Sequence, residues 1–306
     1  MSHATGRVWS PVITPFTAEL APDRERFVAQ CRWLLDNDVG LAVFGTNSEA
    51  NSLSVEEKSQ LLDALIEGGI PAARLMPGTG ASALPDAVAL TRHAVAQGVE
   101  GVLMLPPFYY KGVSDEGLFR YFSEVIERVG DARLRIYLYH IPPVSQVPLS
   151  LALIERLLKA YPKNVVGVKD SSGDWSNTQA MIDNFAADGF QVYAGSEHFL
   201  LQTLRAGGAG CISATANVNP GPISALAKAW QGADADAQQA ALTNTRKLFE
   251  RFPMIPALKA AAARYSGIEE WAQVRPPLVE LNEQQRQDLF AILDEASFDM
   301  PGLKDG

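Results

Sequence analysis

Lys169 closes the apolar run Val165-Val166-Gly167-Val168. Lysine seldom enters an apolar setting without a partner or a task. An amine held away from water is more readily neutral, and a neutral amine attacks a carbonyl carbon to give a Schiff base. A rim lysine salt-bridged to the adjacent Asp170 is the plainer alternative. Tyr139 ends another apolar run, Arg135 to Tyr139. A phenol there can pass a proton to and from a substrate oxygen, or be a core tyrosine with one hydroxyl partner. Thr46 follows the run Leu41 to Gly45 in a glycine-flanked turn, where it either joins such a relay or caps a helix. Ser54 is the better cap for the helix that follows, because Glu57 three positions on completes a capping box.

These side chains can meet only if the runs that end in them lie side by side. Eight short runs read as strands: Val8 to Phe16, Leu41 to Gly45, Leu75 to Gly78, Gly101 to Leu105, Arg135 to Tyr139, Val165 to Lys169, Gln191 to Ala194 and Gly210 to Ser213. Several are almost wholly apolar, as strands buried on both faces are. Helical patterns separate them: Glu25 to Asn37, Val55 to Gly68, Pro85 to Ala96, Glu116 to Val129, Leu149 to Ala160, Asn177 to Phe185, Glu197 to Gly207 and Pro220 to Gln231. Strict alternation predicts a parallel sheet with right-handed crossovers, and eight units predict an α/β fold closed as a (β/α)8 barrel over residues 1–232. An open doubly wound sheet is the rival, but no glycine-rich phosphate loop follows the first run. From Asp234 to Phe252, Ile255 to Tyr265 and Asn282 to Ala296 the pattern is helical without strands, which predicts a C-terminal helical appendage over 233–306. In a barrel of this kind the chemistry sits at the C-terminal ends of the strands, where Lys169, Tyr139 and Thr46 all fall.

Bulk properties exclude other classes. The 306 residues fit one barrel of about 250 residues with an extension. With 47% apolar and 20% charged residues the chain has a large core. A net charge of −9 argues against a nucleic-acid partner. No stretch approaches the roughly 18 apolar residues needed to span a membrane, and the opening MSHATGRVWS has no signal-peptide core. Cys31 and Cys211 are too few for a disulfide framework. Cys211, in an apolar run, reads as a buried thiol, and a reducing cytoplasm is expected. His3, His93, His140 and His198 show no metal-ligand spacing, so neither metal nor cofactor is expected.

Five segments together resemble the dihydrodipicolinate synthase / N-acetylneuraminate lyase family. They are Gly45-Thr46-Asn47-Ser48-Glu49, Pro107-Phe108-Tyr109-Tyr110-Lys111 with Ser114-Asp115-Glu116-Gly117-Leu118, Tyr139-His140-Ile141-Pro142, Gly167 to Asp174, and Gly207-Gly208-Ala209-Gly210-Cys211-Ile212-Ser213. The likeness spans nearly the whole chain, from the SPVITPF opening through the helical tail. It implies that Lys169 is the Schiff-base nucleophile and Tyr139 the general acid/base. Thr46 and one tyrosine of the Tyr109-Tyr110 pair would complete a hydroxyl relay, Tyr110 being favoured by its spacing back from Glu116-Gly117-Leu118, with that tyrosine coming from a neighbouring subunit. Asn47 and Ser48 would receive the carboxylate of a 2-oxo acid such as pyruvate, and Ile212 would offer its carbonyl near the pyruvyl methyl group. A homotetramer, a dimer of dimers, is the family default.

The departures narrow this. Asn47-Ser48 stands where the family has Thr-Gly, and asparagine can still donate to a carboxylate. Synthases of the family carry an arginine shortly after the tyrosine motif to clamp an aldehyde substrate's carboxylate, and here that position is Val144. A lost bidentate clamp is not a conservative change. Ser145, Gln146, Gly195, Glu197 and His198 are instead expected to line the pocket for the rest of the substrate. The resulting expectation is a Schiff-base lyase that cleaves or forms a bond to pyruvate, or dehydrates a hydroxylated 2-oxo acid. An authentic 4-hydroxy-tetrahydrodipicolinate synthase and an inert 2-oxo acid-binding relative are the alternatives.

Overall fold

Seven parallel strands form one sheet in the computed structural model, which describes residues 6–303. They are β1 (Arg7–Ser10), β2 (Gly40–Leu41), β3 (Val102–Met104), β4 (Ile136–His140), β5 (Val165–Asp170), β6 (Gln191–Ala194) and β7 (Gly210–Ile212). Their order, β2-β1-β7-β6-β5-β4-β3, leaves β2 and β3 at the two ends. The segment 75–79 lies between those ends and joins them. Met76 and Gly78 donate to the carbonyls of Leu41 and Val43 at 2.8 and 2.7 Å, while Thr79 donates to Leu103 at 3.0 Å and Leu103 to Pro77 at 2.9 Å. The sheet is therefore a closed (β/α)8 barrel, with the predicted third strand present as hydrogen bonds but not as regular strand. Pro77 has no N–H to give the ladder. A Cβ on Gly78 would stand 2.1 Å from the Phe44 carbonyl oxygen, so only glycine permits this approach. Likewise the predicted first strand, Val8 to Phe16, is regular only as far as Ser10, where Pro11 interrupts it.

The helices are α1 (Arg24–Asp36), α2 (Val55–Glu67), α3 (Leu84–Ala96), α4 (Asp115–Val129), α5 (Pro142–Ser145), α6 (Leu151–Ala160), α7 (Trp175–Phe185), α8 (Leu200–Arg205), α9 (Pro220–Ala229), α10 (Ala235–Phe249), α11 (Met254–Ser266) and α12 (Glu283–Glu295). Ser54 caps α2 in the reciprocal box its spacing predicts, with Glu57 bonded back to the Ser54 N–H. The predicted helix from Glu197 to Gly207 is split: a 3-10 turn, Glu197–Phe199, precedes α8.

Side chains alternate across each strand, and the inward set fills the barrel. Trp9, Met76, Leu103, Tyr137, Tyr139, Tyr193 and Ile212 form that interior. The outward set meets the helices in a larger core that also takes in Phe249, Leu258, Leu289 and Leu293 from α10, α11 and α12. The tail thus shares the barrel's core. It is also tied to the barrel by ion pairs: Arg246 with Glu197 at 2.9 Å, Arg275 with Glu57 of α2 at 2.6 Å, and Lys259 with Glu49.

Candidate active site

Cross-strand register brings the site together. Tyr139 on β4, Lys169 on β5 and Tyr193 on β6 are direct neighbours, all facing the barrel interior. Lys169 is 2% exposed. Its Nζ donates to the Tyr139 hydroxyl at 3.1 Å and lies 4.2 Å from the centre of that ring. The same hydroxyl is 3.2 Å from Thr46 Oγ1. Lysine, tyrosine and threonine therefore form one continuous chain of hydrogen bonds drawn from β5, β4 and the turn after β2.

Asp170 does not pair with Lys169. One residue further along the strand, it faces the other way and accepts from Ser172 N–H at 2.9 Å, Ser172 Oγ at 3.1 Å and Thr178 Oγ1 at 2.6 Å. His140, beside it, stays below its ordinary pKa because burial outweighs the pull of Asp170. Its Nδ1 accepts from the Leu149 N–H at 3.0 Å. These two groups brace the 171–174 loop and the chain after β4, and among the described residues no acidic group pairs with Lys169.

The turn carrying Thr46 is held from beneath. Ser48 Oγ accepts from Gly45 N–H at 3.1 Å, and the Ser48 carbonyl accepts from Thr14 Oγ1 at 2.7 Å. Glu49 adopts a left-handed backbone, φ 55°. Its carboxylate is buried against Lys259 and accepts from Arg275 N–H at 2.8 Å. Burial pushes the Lys259 ammonium down to about 8 against the pull of Glu49.

Above these groups opens a cavity of about 320 Å³. Thr46, Asn47, Tyr139, Lys169, Val144, Ser171, Gly195, Ser196, Phe199 and Arg246 line it. Gly195 has to be glycine, since a Cβ there would come within 2.8 Å of the Asp170 carbonyl oxygen. Val144 is 60% exposed at the mouth.

The model of the dihydrodipicolinate synthetase family matches residues 4–296. The chain belongs to this family. A relative in Chloroflexus aurantiacus, an uncharacterized DapA-like lyase, is 35% identical over 281 residues, 90% of this chain and 92% of that one. The dihydrodipicolinate synthase of Agrobacterium tumefaciens superposes with a TM-score of 0.88 at 31% identity, covering 95% of this chain and 99% of that one. YagE of Escherichia coli K12, a prophage protein of the same family solved in complex with pyruvate, superposes at 0.87 with 27% identity over 95% and 98% of the two chains. The chain is a lyase of this family, of the Schiff-base type that acts on a 2-oxo acid.

Against that family pattern, the structure corrects several expected positions. Ser48 is fully buried, and its hydroxyl serves the turn, not the cavity. Ile212 is not among the corrected positions, since its expected contact is through its carbonyl while its side chain packs in the barrel interior. Ser145 is buried in α5, bonded to the Ile141 carbonyl at 3.0 Å. Gln146 and His198 face solvent. Glu197 does not line the cavity either: Ser196 caps the 3-10 turn, which sends Glu197 inward to Ser213, Thr215 and Arg246. Tyr110, 67% exposed, packs edge-to-face with Tyr109 at 5.3 Å and lies outside the cavity of its own chain. Lys111 Nζ ties this loop to the Ser145 carbonyl at 2.8 Å.

Arg246 is the group that sequence reasoning missed. It reaches the cavity from α10, with its side chain 14% exposed. Its Nη1 donates to Glu197 Oε2 at 2.9 Å and Ser213 Oγ at 3.2 Å, and its Nε to Glu250 Oε1 at 2.7 Å. Burial opposes its charge, but the two carboxylates outweigh that and hold its pKa above the ordinary arginine value.

Proposed function

We propose that Lys169 forms the Schiff base and that Tyr139, backed by Thr46, moves the protons. The hydrogen-bonded run Lys169–Tyr139–Thr46 carries this reading. The Lys169 amine adds to the C2 carbonyl of a 2-oxo acid, and the Tyr139 hydroxyl, within reach of the reacting nitrogen, hands a proton to the departing oxygen as water leaves. The iminium then accepts an electron pair. In a 4-hydroxy substrate the C4 hydroxyl gives its proton to the Tyr139 oxygen, the C3–C4 bond breaks, an aldehyde departs and the enamine is reprotonated at C3. Hydrolysis returns pyruvate and the free amine. Loss of a hydroxyl as water from the same iminium is dehydration, so both lyase outcomes use this first half. Asn47 and the backbone of its turn receive the substrate carboxylate. The pyruvate-bound family member YagE supports pyruvate as the ligand of this end.

Val144 speaks against the synthase reading, since it places no cation where that enzyme's clamp would sit. The exposed Tyr109–Tyr110 pair supports an assembly in which Tyr110 enters a neighbouring subunit's site, with a homotetramer as the complete form. No described helix is long and apolar enough to cross a membrane. With both thiols free and buried, we place the enzyme in the cytoplasm. Residues 233–306 act in this reading as an extension that completes the barrel's mouth. Borohydride reduction in the presence of pyruvate, followed by peptide mass mapping, should add one reduced pyruvyl group at Lys169. An adduct elsewhere, or none, defeats the proposal.

A further inference from the structure

The reading above leaves Arg246 without a task. Its Nε and Nη1 donors are occupied by Glu250, Glu197 and Ser213, while Nη2 has no protein partner among the described residues. Nη2 is therefore the donor this cavity-lining side chain has to offer a ligand. Its charge is already answered. Two carboxylates face the single guanidinium. Glu197 is buried at 1% exposure and held by the Ser213 and Thr215 hydroxyls, and its own N–H donates to Ser213 Oγ at 3.1 Å. A carboxylate at the far end of a substrate would have to share that cation with Glu197 while losing its water, an arrangement that desolvation penalises. Val144, exposed at the mouth, supplies no second cation. A hydroxyl meets no such conflict, because its oxygen accepts from Nη2 and its proton is free for another acceptor. Ser171 and Ser196 line the same cavity, so its polar groups beyond the reacting ones include two hydroxyls and one neutralised guanidinium.

We infer that Arg246 selects 2-oxo acids whose far end is a neutral, hydroxylated chain over those that end in a second carboxylate. This rests on the Schiff-base reading and specifies its substrate. Arg246 would be a binding residue for that chain, and Glu197 a positioning residue that acts through it.

The test compares a six-carbon 3-deoxy-2-oxo acid bearing hydroxyls at C4, C5 and C6 with the analogue whose C6 is a carboxylate, following consumption of each. The wild-type protein should favour the hydroxyl-ended acid by about tenfold or more in kcat/KM. Arg246→Gln should raise KM for that acid by about tenfold with a smaller change in kcat. Glu197→Gln, which releases the guanidinium's charge, should move the preference toward the carboxylate-ended acid. Equal use of the two acids, preference for the carboxylate-ended one, or an Arg246→Gln enzyme with unchanged KM overturns the inference. The wild-type ratio and Arg246→Gln decide the matter even if Glu197→Gln fails to fold. Pyruvate trapping on the wild-type protein separates the two possible failures. An adduct on Lys169 with the wrong preference overturns the role of Arg246 alone. Absence of the adduct removes the Schiff-base reading and the inference with it.

Discussion

Two lysines are buried in this molecule to nearly the same degree and kept there by opposite means. Lys259, on α11, is enclosed by the Glu49 carboxylate, the Gln273 carbonyl at 2.6 Å and the face of Phe16 at 4.3 Å. Every donor direction is directed at an acceptor, and its charge is matched. Lys169, at the end of β5, has one phenol at 3.1 Å and the face of that same ring, with a cavity in front. A buried ammonium with a carboxylate is a structural bolt. A buried amine with only a hydroxyl, opening on a cavity, is left free to bond with something that enters. Burial alone does not distinguish these two settings, whereas the identity of the partner does.

The sharpest way to break this comparison is to remove each amine in turn. Lys169→Met should lower kcat by about 10⁴-fold or more, as loss of a covalent nucleophile does. Its thermal midpoint should hold or rise, because no carboxylate is stranded. Residual turnover within tenfold of wild type would put the chemistry elsewhere. Lys259→Met should do the reverse. It strands the Glu49 carboxylate in the core and should cost about 3–5 kcal/mol in denaturant unfolding. Adding Glu49→Gln should recover much of that loss, and a single variant as stable as wild type would mean the pair is not the bolt described.

Tyr139→Phe keeps the ring over Lys169 but removes the relay. It should lower kcat by about 10²- to 10⁴-fold while Lys169 is still trapped by pyruvate and borohydride, more slowly. An enzyme that loses trapping altogether would show that the phenol is needed to form the adduct and not only to turn it over. Thr46→Val removes one hydrogen bond to Tyr139 at nearly constant volume. A net bond of about 1 kcal/mol corresponds to a loss of roughly tenfold or less in kcat, the smallest of the four effects.

Much of this was legible in the sequence because it depends on short-range pattern. Apolar runs placed Lys169 and Tyr139 at strand ends, and parallel register then placed them side by side. The apolar content around Pro77 predicts a strand, yet proline and a glycine pressed on Phe44 leave it bridging two strands without being regular itself. Glu197 departs from its expected place for a different reason. A residue just past a strand can turn to the mouth or to the core, and here the Ser196 cap turned it inward. Arg246 lay beyond local reasoning altogether. Its helix pattern says which residues share a face, but not that α10 lies beside the turn after β6, which is a matter of long-range packing.

That placement of α10 has a consequence for how such a protein diverges. In the proposed mechanism, bond making and breaking belongs to side chains rooted in the barrel strands and their first turns, while part of the cavity wall comes from a helix encoded some seventy residues downstream of Lys169. On that reading, substitutions in that helix would alter what is accepted without disturbing the hydrogen bonds around the amine. A lineage built this way can change its diet by editing one distant stretch of its gene and keep its reaction intact.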